Sequence, residues 1–334
     1  MNIYYSFDEI RSHQCMLNYV LSNRGSGKTF GAKVMCIKDF IKSNGEQQFM
    51  YVRRFASELE DKDMFFNDII ESNLFPEYEF TVKGNIGYCN GEIICHFVPL
   101  STSLQKKSVP YPKVTKIIYD EFIINRNTQR YLKNEVIIFL ELISTVVRNR
   151  DNVTVFCLGN NISYVNPHFS YFGITVDGSK RFTKSNNKQI VVEIYNNKNF
   201  ANAQKKTTFG KIIKDTKYGK YNIENANLQD SDCFIVPKMP YKKIFYCSFL
   251  LNSKEYGVWY VEDYKTYYVD DKINNTSKKR YSVNLDEHKE GYINIKFARM
   301  DFRIRNFKNL FAKGLIVFKS QEIKVNFYEI LKYL

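Results

Sequence analysis

No apolar run in the 334-residue sequence approaches the ~18 residues that a membrane-crossing helix requires, so a membrane span is not expected. The N-terminus, Met1-Asn2-Ile3-Tyr4-Tyr5, lacks a basic stretch followed by an apolar one, which argues against a secretory signal. The seven cysteines, Cys15, Cys36, Cys89, Cys95, Cys157, Cys233 and Cys247, include no C-x-x-C pair. They read as small buried hydrophobes in a reducing compartment. Only four histidines occur, His13, His96, His168 and His288, without the spacing of a zinc site. No internal repeat is present. What remains is a globular composition, 44% hydrophobic and 25% charged, long enough for two domains. The 16% aromatic content reads as core material. The net charge of +14 is uneven: residues 201–334 carry 25 basic and 15 acidic side chains, against 24 and 20 in residues 1–200. That asymmetry suits a polyanion such as nucleic acid, although a solvated basic surface would also produce it.

The most informative stretch is Ser22-Asn23-Arg24-Gly25-Ser26-Gly27-Lys28-Thr29. An apolar run, Cys15–Leu21, precedes it, and apolar residues at helical spacing, Phe30, Val34, Ile37 and Ile41, follow it up to Gly45. Strand, glycine-bearing loop and helix form the context of a phosphate-binding P-loop. Gly25 and Gly27 let the loop turn its N–H groups inward, and the helix N-terminus adds partial positive charge. Lys28 would reach the β- and γ-phosphates, and Thr29 would offer its hydroxyl to Mg2+. Ser22 stands where the first glycine of the motif is usual, and its small side chain is compatible with a tight exit from the strand.

A second apolar strand, Gln48–Val52, ends in Arg53-Arg54, and a helix is expected over 57–72 with Leu59, Met64, Phe65, Ile69 and Ile70 on one side. Residues 79–88 and 92–98 read as a hairpin across Asn90-Gly91. The strand Val114–Tyr119 terminates in Asp120-Glu121. Behind a P-loop, such a pair supplies an Asp for magnesium and a Glu that polarises the attacking water. A helix over 131–147 ends in Arg148-Asn149-Arg150. Those cations either complement the helix dipole or offer an arginine finger to a neighbouring subunit. The strand Val153–Leu158 closes with Gly159-Asn160-Asn161, where Asn160 suits a sensor of the γ-phosphate or the lytic water, and where a plain turn would use the same residues.

Residues 198–232 are polar and lysine-rich and read as a linker or lid between a first domain, 1–197, and a second, 233–334. In the second, the segments 244–251, 257–262 and 266–269 look like an antiparallel meander. Helices are expected at 295–313 and 322–333, around a strand at 315–318.

Gly25-x-Gly27-Lys28-Thr29, Tyr51-Val52-Arg53-Arg54, Tyr119-Asp120-Glu121-Phe122, Val147-Arg148-Asn149-Arg150 and Asn166-Pro167 occur in order with similar gaps. Together they resemble the DNA packaging ATPases of small tailed phages of the phi-twenty-nine type. The resemblance implies an α/β, additional-strand catalytic-glutamate (ASCE) P-loop ATPase domain with a largely parallel sheet. A linker or lid and a small α+β RNase H-like domain would follow. It implies a ring, of five copies, docked on the portal of a viral prohead in the cytoplasm of the infected host. There, ATP hydrolysis with Mg2+ drives double-stranded DNA into the capsid, in some relatives with a packaging RNA. It assigns Lys28 and Thr29 to phosphate and Mg2+, Asp120 to Mg2+, Glu121 to general base and Arg148 to trans-acting finger. Arg53 would couple the pocket to Glu121 or the lid, and Lys107 would act across the subunit interface.

The first strand of the second domain, Lys243–Leu250, carries no acid, so nuclease activity is not expected there. Its basic residues Lys278, Lys279, Arg280, Arg303 and Arg305 are candidates for contact with the DNA backbone or the portal. The alternatives are a terminase-like enzyme with both ATPase and nuclease functions, another DNA-dependent P-loop translocase, a small-molecule kinase, or an ATP-independent scaffold protein.

Overall fold

The computed structural model describes residues 5–106, 109–124, 130–174, 176, 180–185, 187–225, 234–239, 241–331 and 333–334. The expected interface residue Lys107 and the cysteine Cys233 lie outside them. The chain forms two compact units, 1–229 and 230–334.

In the first unit a short helix α1 (Asp8–Ser12) precedes β1 (Leu17–Ser22), whose six residues are all buried. Helix α2 (Lys28–Lys42) leads to β2 (Gln48–Arg53). Then come α3 (Asn67–Glu71), β3 (Phe80–Lys83), β4 (Ile86–Cys89), β5 (Glu92–Pro99) and β6 (Val114–Asp120). Helix α4 (Glu135–Val147), β7 (Thr154–Asn160), α5 (Pro167–Phe172), β8 (Phe182–Lys184) and β9 (Ile190–Tyr195) complete the sheet region. The nine strands lie in the order β3-β4-β5-β2-β6-β7-β1-β9-β8. Strands β5, β2, β6, β7, β1 and β9 are parallel, and antiparallel strands close both edges. The central strands are near-continuous apolar runs because both faces are covered. One face packs Ile37, Phe40, Phe49, Phe65 and Phe97, the other Tyr19, Tyr119, Phe139, Ile143 and Phe169. Parallel pairing brings the C-terminal ends of β1, β6 and β7 to one edge, with Ser22 opposite Asn160 and Asp120 opposite Leu158.

Several expected elements differ. The helix foreseen over 57–72 is a 3-10 stretch, Ala56–Met64, followed by the short α3, because the chain kinks at Asp61. Met64 and Ile70 are exposed as a result, while Leu59, Phe65 and Ile69 are buried. Residues 79–88 are two strands rather than one, turning at Gly84 (φ +60°). The Asn90-Gly91 turn does join β4 to β5, both residues having positive φ as such a hairpin requires. Helix α4 begins at Glu135, four residues later than expected, after Asn134 in a left-handed conformation. Residues 198–224 form three helices, α6 (Lys198–Lys206), α7 (Thr208–Ile213) and α8 (Lys217–Glu224), each started by a side-chain cap from Asn197, Thr207 or Thr216. They share a small core of Ala201, Ile213 and Ile223, and belong to the first unit.

The second unit contains β10 (Ile244–Leu251), β11 (Lys254–Val261), β12 (Thr266–Asp270), β13 (Arg280–Ser282) and β14 (Ile293–Asn294). Helix α9 (Phe302–Ala312), β15 (Ile316–Phe318) and α10 (Gln321–Leu331) follow. Its sheet order is β14-β13-β10-β11-β12-β15. Three antiparallel strands come first, and the fourth and fifth return parallel beside the first. This is the arrangement of an RNase H-like sheet, here with β15 added next to the third strand. Helix α9 starts at Phe302, not near 295, because Asp301 caps it through the Arg303 N–H.

Candidate nucleotide-binding site

The loop between β1 and α2 wraps around the Lys28 ammonium. Gly25 (φ +78°) and Gly27 (φ +83°) adopt left-handed backbone that other residues take only at a cost. A β-carbon on Gly25 would also lie 3.2 Å from the Phe200 ring of α6. Lys28 is buried, and its Nζ donates to Ser22 Oγ (2.9 Å), Asn23 O (3.0 Å), Asn160 Oδ1 (3.2 Å) and Ser22 O (3.5 Å). All four acceptors are neutral. Burial therefore dominates and pushes the lysine pKa down to about 8, against the opposing pull of Asp120 and Glu121. An ammonium left in this condition favours the arrival of an anion. Ser22 does more than fill the usual glycine position, since its hydroxyl meets both Ser26 Oγ and Lys28 Nζ.

At the end of β6, Asp120 Oδ2 accepts from Thr29 Oγ1 and from the Tyr51 hydroxyl, each at 2.8 Å. A hydroxyl and a carboxylate in contact, beside a phosphate cradle, form a hard-oxygen donor set that fits Mg2+. Glu121 follows with φ +57°, its side chain partly exposed, and Arg53 Nη2 donates to its Oε2 at 2.7 Å. Burial opposes the charge on Arg53, but Tyr51, Glu121 and Asp120 outweigh it and keep the guanidinium firmly protonated. Lys28, Thr29, Asp120, Glu121, Arg53 and Asn160 thus come together at one edge of the sheet.

Arg148 does not join them. It is exposed, just past the end of α4, in the connection that leads into the start of β7. Its neighbour Arg150 donates to the carbonyls of Tyr111 and Pro112, just before β6, and is structural. Arg148 therefore lies at the opposite edge of the sheet from its own P-loop, about 20 Å away by the rise of β7.

Sequence reasoning missed the buried Arg54–Glu135 pair behind the site and the ties made there by Asn23 and Asn161. Arg54 lies beneath Glu121, bound to Glu135. Asn23 Nδ2 donates to Ile223 O and Asn161 Nδ2 to Asn225 O, which ties the end of α8 to the loop and to the tip of β7. A charged residue opening an otherwise apolar helix, Glu135 before Val136-Ile137-Ile138-Phe139, is the signal that marks one of them.

In the second unit, Arg280 pairs with Glu255 (Nη2–Oε2, 2.6 Å) and stacks over the Tyr292 ring; Arg303 pairs with Asp301. Lys278, Lys279 and Arg305 are exposed.

A phosphate cradle with an additional strand, β7, between the P-loop strand and the acid-bearing strand defines the ASCE P-loop ATPases. The comparisons with known proteins narrow this class. The model of the family described as Podovirus DNA encapsidation protein (Gp16) matches residues 1–334. The chain belongs to that family and packages phage DNA. The DNA packaging protein of Bacillus phage B103 is 37% identical over 321 residues, 96% of this chain and 98% of that one. The DNA packaging protein of Bacillus phage phi29 is 33% identical over 331 residues, 99% and 98% of the two chains. A solved chain of the bacteriophage Phi-29 viral genome packaging motor assembly matches with a TM-score of 0.80 at 33% identity, covering 99% of both chains. The N-terminal domain of the DNA packaging ATPase from bacteriophage phi29 covers 57% of this chain and 96% of its own length, with a TM-score of 0.53 at 39% identity. Among the described residues no helix is long and apolar enough to cross a membrane.

Proposed function

We propose that the chain hydrolyses ATP to drive double-stranded DNA into a viral capsid, as one subunit of a ring seated on the portal. The observation that carries this reading is the convergence of Lys28, Thr29, Asp120 and Glu121 at one edge of the sheet. The P-loop from Ser22 to Thr29 and its lysine bind the triphosphate, and Thr29 and Asp120 hold Mg2+, which neutralises phosphate charge when bound. Glu121 accepts the proton of the attacking water, and Asn160 orients the phosphate end. Arg53 holds the Glu121 carboxylate. Arg148 completes the site of a neighbouring copy, a role that suits a residue on the far edge from its own loop. Likeness to a chain of the Phi-29 packaging motor assembly supports a ring, for which five copies are proposed.

The second unit binds DNA backbone or portal without cutting. Its first strand, Ile244–Leu251, carries no acid, and the nearby Glu255 is capped by Arg280, Ser248 and Tyr292. The exposed Lys278, Lys279 and Arg305 suit backbone contact better than the paired Arg280 and Arg303.

The test is ATP hydrolysis by the full chain with capsids and DNA. Glu121→Gln and Arg148→Ala should each abolish turnover, and mixing the two proteins should restore part of it at hybrid interfaces. No restoration would sink the shared site. Nicking of plasmid in manganese would sink the claim that the second unit does not cut.

A further inference from the structure

Arg53 and Arg54 are consecutive at the end of β2, so their side chains leave on opposite sides of the strand. Arg53 takes the Glu121 carboxylate, whereas Arg54 takes the backbone beneath it. Arg54 is 2% exposed; its Nη1 donates to Glu121 O (3.2 Å) and its Nη2 to Phe122 O (2.8 Å). Glu121 sits in left-handed backbone, which a residue with a β-carbon adopts only when its surroundings impose it.

Those surroundings are one connected buried cluster. Glu135, also 2% exposed, accepts from Arg54 Nε (2.7 Å) and Nη2 (3.0 Å), from the Tyr119 hydroxyl (2.7 Å) and from Leu132 N (2.9 Å). His168 Nε2 stands 3.7 Å from Glu135 Oε1, and its Nδ1 faces the Tyr19 hydroxyl at 3.2 Å. A buried ion pair is a poor source of net stability, because desolvation offsets the attraction. A guanidinium fork locked by a carboxylate is, by contrast, well suited to fixing where two carbonyl groups lie.

We propose that Arg54, clamped by Glu135, is a positioning residue for hydrolysis: it fixes the Glu121–Phe122 backbone so that the Glu121 carboxylate is presented at the mouth of the phosphate cradle. The proposal rests on Glu121 being the general base.

Full-length protein with Mg2+, ATP, capsids and DNA provides the test. Arg54→Lys keeps a cation but cannot bridge both carbonyls and Glu135. It should lower kcat roughly tenfold or more, while KM and the affinity for a fluorescent ADP analogue stay within about twofold. Should that chain fail to fold, the paired Arg54→Met/Glu135→Met variant removes both charges together, and the same split is expected. Unchanged kcat in a folded variant, or nucleotide affinity falling in parallel with kcat, overturns the proposal. Melting supplies a readout independent of turnover. Glu121→Gly takes left-handed backbone freely, so Arg54→Lys should lower Tm less in that background than in the wild type; equal drops overturn the backbone role. Wild-type kcat in Glu121→Gln would overturn the base assignment and this proposal with it. Failure of the Arg54 arm alone leaves Glu121→Gln inactive, so the two failures are read apart.

Discussion

Lys28 in the first unit is buried and Arg280 in the second is half-buried, and their electrical surroundings are opposite. Lys28 spends its hydrogen bonds on four neutral oxygens of the loop and of the tip of β7. Arg280 is cancelled by Glu255, which Ser248 and Tyr292 also satisfy. The first arrangement is an unfinished one that an incoming polyanion completes. The second is closed upon itself, a structural brace across the sheet. A related sheet edge thus becomes a site or a strut according to whether its charges are left short of partners.

The sharpest break would come from Lys28→Ala. Removing the cation that waits for phosphate should reduce ATP hydrolysis about 100-fold or more, read by phosphate release. Near-normal turnover would erase the distinction. Next in size, Arg280→Ala leaves the Glu255 carboxylate without its guanidinium and should cost about 2 kcal/mol in urea unfolding. A neutral outcome would mean that the brace is idle.

A third test concerns Glu135. Burial alone would raise its pKa, but His168, 3.7 Å away, and the hydrogen bonds and positive charge of Arg54 outweigh burial and bring it to about 2, below the ordinary 4.5. A depressed carboxylate contributes stability that is present above 4.5 and lost as pH falls toward 2. Glu135→Gln should therefore lose less stability than the wild type over that acid window, whatever its starting value, measured by melting at successive pH. The smallest effect is expected at the exposed lysines. Lys278→Ala or Lys279→Ala should each lower the salt dependence of DNA binding by about one counterion. No change in slope would place the DNA elsewhere.

Much of this fold is legible in the sequence. Leu17–Leu21, Val114–Tyr119 and Val153–Leu158 announce buried parallel strands by continuous apolar runs, and their polar ends, Ser22, Asp120 and Asn160, mark the edge where the candidate site gathers. The meander of the second unit is equally plain, while the three-residue β8 and the two-residue β14 are too short to show a period. Arg54 and Glu135 escape for a different reason. Hydropathy treats charge as surface, and only the fold reveals that these two neutralise each other inside it. The 3-10 stretch at 56–64 has helical spacing in sequence, but the kink at Asp61 is decided by packing.

Under the proposed trans role of Arg148, its placement on the edge away from its own loop would fix how copies meet. Each chain would then have one donor edge and one acceptor edge on different surfaces, and association would be head to tail. An open arc always wastes one finger and one loop at its ends, and a lone chain wastes both. Only closure would give every loop its arginine. Under that proposed role, turnover per chain should rise with each copy added and reach its full value when the circle shuts, so that the last site to be completed is the one that closes the ring.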